Sequence, residues 1–166
     1  MTQLAYAARN LLAQFPSVTS LLGVDELDDP MLYPNRPEAT VENTGKCLVV
    51  IRVDGGWGAN QHNTARFPTL VVDIWADPTR NSDGSVQMQD ASLKAEAVFK
   101  AIDKILHQVN NSLPGGGAIY WGTLTQITNK TGVRITSSSR TNDPDERPAF
   151  DDQGAVIWQV RYNVSI

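Results

Sequence analysis

Two aspartates four positions apart, Asp73 and Asp77, lie in the apolar stretch RFPTLVVDIWADP (residues 66–78), and paired carboxylates are what acid–base hydrolysis uses. Read as a strand rising ~3.3 Å per residue, the stretch places both on one face but roughly 13 Å apart. The two carboxyls of a glycosidase stand only ~5 to 9.5 Å apart, so this pair cannot act on one bond. Asp77 precedes Pro78 and opens the turn series ADPTRNSDG, where Asp serves as a local hydrogen-bond acceptor. Asp73, inside the strand, needs a partner or water. Alternation puts Arg52 and Arg161 on the less apolar faces of their own strands, so a cross-strand ion pair is available to it. A small hydrolase using Asp73 is the remote alternative to that structural pairing.

Other chemistry finds little to work with. His62 falls in a Gly-rich stretch and His107 near a helix C-terminus, and neither has Cys or His at metal-ligand spacing. The one cysteine, Cys47, sits in the apolar run CLVVIRV, which excludes an internal disulfide and reads as a buried, inert thiol. GGWG and GGG lack the Lys-Ser/Thr of a phosphate loop, and G-x-S-x-G is absent. The expectation is a protein with no catalytic residues, no cofactor and no metal.

A length of 166 residues fits one domain able to bury its own core. The formal charge of -4 argues against a module that grips nucleic acid, since phosphate binding needs clustered Lys and Arg. DNA could pass nearby without sticking. The N-terminus has no basic segment followed by an apolar one, and no apolar run nears the ~20 residues of a membrane span. The expected setting is cytosolic synthesis without secretion or membrane insertion.

These residues need elements to hold them. Leu4, Ala8, Leu11, Leu12 and Phe15 predict a short amphipathic helix stopped by Pro16. Residues 16–46 alternate turn formers with isolated apolar residues and read as an irregular crossing, with an edge strand near residues 40–42. Strands follow over 47–54 and 66–78, joined by the Gly-rich loop 55–65 that carries Trp57. Apolar residues at three- and four-residue steps predict the main helix over 86–111, ended by Pro114 and GGG. A hairpin follows, 119–128 and 133–139 around NKTG, and the chain closes on a strand from 154 to 166. Between them, 140–152 holds five acids, two arginines and two prolines, a composition that argues against regular structure.

Alternation gives each long strand two faces. Cys47, Val49, Ile51 and Val53 share one, as do Leu70, Val72, Ile74 and Ala76; Leu48, Val50 and Arg52, and Val71, Asp73 and Trp75, take the other. The fold class expected is therefore α+β: a mixed or antiparallel sheet with one long and one short amphipathic helix on one face. The opposite face, with Asp73, Trp75, Gln159 and Arg161, suits a polar-rimmed protein interface, where aromatics and Arg are enriched.

The order of elements, with RFPTLVVDIWADP ahead of the long helix and IWQVRYNVSI closing the chain, resembles the tail terminator (tail completion) proteins of long-tailed bacteriophages. The resemblance spans the whole chain at the level of pattern, and it carries no catalytic motif. It implies a hexameric ring that caps the tail tube at its final length and offers the head-completion protein a docking surface, with genome DNA crossing the channel. It also implies a location in the virion at the head–tail junction, with assembly in the host cytoplasm. Each subunit would meet its neighbour through Arg52, Asp73, Trp75, Gln159 and Arg161 together with the Trp57 arm. The loop bearing Asp143, Asp145 and Glu146 would order against the tube or connector. Another head–tail adaptor or a tube subunit is the nearer alternative.

Overall fold

The computed structural model describes residues 2–35, 44–54, 68–87, 89–107, 137–149 and 154–165. Within them run α1 (Thr2–Leu12), α2 (Pro16–Thr19), β1 (Leu32–Pro34), β2 (Cys47–Asp54), β3 (Thr69–Ala76), α3 (Asp90–Leu106), β4 (Ser137–Arg140), β5 (Asp145–Pro148) and β6 (Val156–Ser165). The strands form one mixed sheet in the order β1-β2-β3-β6-β4, with β5 also on β6. β1 runs parallel to β2 and all other pairs are antiparallel. This is the α+β architecture expected from the sequence.

The main core lies between the sheet and the helices. Leu4, Ala8, Leu11 and Leu12 of α1 and Ala91, Ala95, Val98 and Ile102 of α3 pack on Val49 and Ile51, on Leu70, Val72 and Ile74, and on Val160 and Tyr162. The stripe on α3 has the predicted three- and four-residue spacing. A smaller cluster, Met31, Tyr33, Leu48 and Val50 with Trp75 against it, occupies the other face.

α3 starts later than the apolar pattern suggested. Val86 bridges Arg80 in a turn, and Asp83 accepts from both the amide and the hydroxyl of Ser85. The turn therefore ends before Asp90, whose carboxylate takes the amide of Thr79 at 2.6 Å and Lys94 at 3.2 Å. That amide bond is the main reason the Asp90 carboxyl is held below its ordinary range. Pro16 likewise does not stop α1. The helix ends at Leu12, and Pro16 is the first residue of α2, where its missing N–H costs nothing.

Residues 140–152 were expected to lack regular structure, and the structure corrects this: Asp145–Pro148 is a strand on β6. Among the described residues β5 pairs with β6 alone, and charged side chains and a proline are tolerated at such an edge. Residues 141–144 oppose only Val160 and Arg161, since Arg140 pairs Tyr162 and Asp145 pairs Gln159. In this wide bulge the amide of Arg161 donates to the Asn142 side chain at 2.8 Å. The edge strand expected near residues 40–42, the loop with Trp57, and most of the hairpin at 119–139 lie outside the described residues.

The C-terminal end of α3 is fastened to β4 and β6. The buried Tyr162 hydroxyl donates to Asp103 at 2.9 Å, and burial pushes its pKa well above the ordinary tyrosine value. Arg140 lies 5.3 Å over the Phe99 ring and its amide donates to His107 Nδ1 at 2.9 Å. Among the described residues no helix is long and apolar enough to cross a membrane.

Candidate functional site

The face of the sheet turned away from the helices has an order set by register. Across β2, β3 and β6 its rows read Leu48–Trp75–Ile157, Val50–Asp73–Gln159, Arg52–Val71–Arg161 and Asp54–Thr69–Asn163. It grades from apolar at one end to polar at the other. Side chains on successive rows come within reach because diagonal neighbours in a sheet are only ~7–8 Å apart.

A polar ladder runs across it. Arg52 Nε donates to Asp73 Oδ2 at 2.9 Å, and Gln159 Nε2 donates to Asp73 Oδ1 at 2.8 Å. Arg161 spans Gln159 Oε1 at 3.5 Å and Asp54 Oδ2 at 3.2 Å. The cross-strand pair anticipated for Asp73 is thus made with Arg52, and Arg161 pairs with Asp54 instead. Asp54 was not singled out in the sequence, although carrying the β2 alternation one residue further places it on this face.

Burial divides the ladder. Asp73 is only 7% exposed, whereas the side chains of Arg52 and Arg161 are 37% and 41% exposed. Arg52 uses Nε alone, and its two terminal nitrogens bond no described residue. Asp73 therefore works from within, holding Arg52 and Gln159 in place, while the guanidinium groups keep N–H donors partly exposed to solvent.

Asp77 belongs elsewhere. It is fully buried at the end of β3, where Oδ2 accepts the Gly45 amide at 2.7 Å and Oδ1 accepts Arg80 at 3.2 Å. Lys94 completes this knot by reaching Gly45 O at 2.7 Å, Thr79 Oγ1 at 2.8 Å and Asp77 O at 3.0 Å. Gly45 sits at φ 67, the left-handed region where a side chain would be strained. Asp73 and Asp77 share none of these hydrogen-bond partners.

The three acids of the C-terminal loop are separated by the fold. Asp145 stands beside Gln159 and so extends the ladder row on that face. The Glu146 carboxylate accepts from Trp158 Nε1 at 2.8 Å and from the Ser92 hydroxyl, which ties β5 to the helix side. Asp143 is highly exposed and 3.4 Å from Arg140. Trp57 and His62 lie outside the described residues. Among the described residues no group of His, Cys, Asp and Glu could hold a metal ion.

Cys47 is buried on the core face, and burial pushes its thiol up to about 11 from 9.0. The neutral thiol is thus favoured by folding. Its contribution is complete below pH 9 and is lost as pH rises from about 9 toward 11, by roughly 2 to 3 kcal/mol. Urea titrations should show wild type losing that much relative to Cys47→Ala across this window; parallel curves would count against it.

Compared with known proteins, the chain matches no protein-family model, and no curated protein matches it in sequence.

Proposed function

We propose that this chain is a structural virion protein of the tail-terminator type, closing into a hexameric ring at the end of a phage tail tube. The ring stops tube growth and gives the head-completion protein its docking surface. The observation that carries the reading is the ladder on the sheet face opposite α1 and α3. Two half-exposed arginines are held by Asp73 and Asp54 beside Trp75, which is the composition of a contact surface with a polar rim. Used against a different patch on the next copy, such a face makes a heterologous contact that closes by rotation.

The element order of helix, crossing, two strands, long helix and C-terminal strand supports the same reading, as does the charge. A formal net charge of -4 suits a channel through which DNA slides without binding. No catalytic step is assigned to any residue, and the DNA contact is passage only.

Native mass spectrometry tests this directly. Six copies of 18.2 kDa give a species of about 109 kDa, alone or with tail tube protein present. A strictly monomeric protein under both conditions overturns the proposal. Long cylinders by electron microscopy would assign the chain to the tube itself.

A further inference from the structure

Leu21, Val24, Leu27 and Leu93 are large apolar residues left in solvent. Leu21 and Val24 line a cleft of about 370 Å³ together with Ala97 of α3. Leu93, 61% exposed, stands one helical turn before Ala97, and Leu27, 81% exposed, projects from the loop that follows Val24. A soluble surface rarely gathers apolar side chains in this way without using them.

The loop holds Leu27 outward by its own bonding. Asp25 Oδ1 accepts the amides of Leu27 at 2.8 Å and Asp29 at 3.1 Å, and Val24 bridges Pro30. Leu27 is consequently presented in a fixed position, so ordering it costs a partner little. Around it Asp25, Glu26, Asp28 and Asp29 place four carboxylates within five residues, as many charges as the whole chain's formal excess of -4. The side chains of Glu26, Asp28 and Asp29 bond no other described residue.

Charge decides the occupant. Two copies meeting symmetrically through this patch would set four carboxylates against four, which is repulsive. Of the two lysines that line the cleft, Lys94 is already paired with Asp90, and Lys46 alone is too little to offset them. We infer that the cleft beside α3 and the Leu27 loop form a docking surface for a basic amphipathic segment of a different protein, its apolar side chains in the cleft and its Lys or Arg against the carboxylates. The surface is independent of the ring contact proposed above.

The test uses the full chain and two labelled helical peptides, one built from Leu and Lys, the other with every Lys replaced by Glu. Fluorescence anisotropy should show saturable binding of the Leu/Lys peptide alone, with hydrogen exchange slowed in residues 20–29 and 93–97. Leu27→Ser with Leu93→Ser should weaken binding at least about tenfold, as expected for lost apolar anchors. Neutralising Glu26, Asp28 and Asp29 to their amides should weaken it similarly, and Asp25 is kept because it shapes the loop. Equal binding of both peptides, protection mapped elsewhere, or indifference to both variants overturns the inference. A drop in the protein's own oligomeric mass on the Leu27→Ser, Leu93→Ser change would make the occupant a second copy, and would overturn it too.

Discussion

Asp77→Ala should lower the unfolding free energy by about 3 kcal/mol, a larger loss than replacing either arginine of the ladder. The carboxylate is fully buried and its two oxygens hold the Gly45 amide and Arg80. Truncation leaves the Gly45 N–H without its acceptor and removes the countercharge of Arg80, and each such defect costs ~1–3 kcal/mol. It also loosens the backbone that Lys94 grips through Gly45 O and Asp77 O, so the joint between α3 and the start of β2 weakens with it. Asp77→Asn keeps an acceptor for Gly45 and should cost roughly half as much. In urea, with a slope of ~2 kcal/mol/M, the alanine variant should unfold about 1.5 M earlier. A midpoint unchanged from wild type would show that the knot contributes nothing.

The largest effect on assembly is expected from replacing Arg52 and Arg161 together by Gln. Each side chain is more than a third exposed, so solvent screens its intramolecular pair and folding should lose only about 1 kcal/mol. Under the ring proposal both guanidinium groups are central contacts, and truncated arginine hot spots cost ~2 kcal/mol or more each. Every subunit contact in the ring is weakened at once. The expected result is a folded protein, with wild-type circular dichroism, whose native mass falls from about 109 kDa to 18.2 kDa. A variant that folds and still assembles would remove the ladder from the interface.

Much of the fold was legible in the sequence because it rests on periodicity. The three- and four-residue steps through Ala91, Ala95, Val98 and Ile102 locate α3, and alternation in β2, β3 and β6 separates the core face from the ladder face. The pairing of Asp73 followed from asking where a charge inside a strand finds a partner. Local signals misled where a distant partner decided the outcome. The acidic stretch around Asp145 becomes a strand only because β6 offers it an edge, and the knot around Lys94 escapes a sequence reading because, beyond its pair with Asp90 one turn earlier, its acceptors lie 15 to 49 positions away. Pro16 carries the same signal whether it ends one helix or begins the next.

The wide bulge opposite Val160 and Arg161 has a consequence for growth. A long, flat outer strand is a template on which further strands can add without limit. Here the two surplus residues break that strand into pieces of four, and the second piece carries Asp145, Glu146, Arg147 and Pro148 along its length. Charge, a missing amide and a kink each spoil continued strand pairing. Deleting two residues from 141–144 would let the pieces join into one continuous ladder against β6, and would turn this blunt border into a nucleus for open-ended fibres.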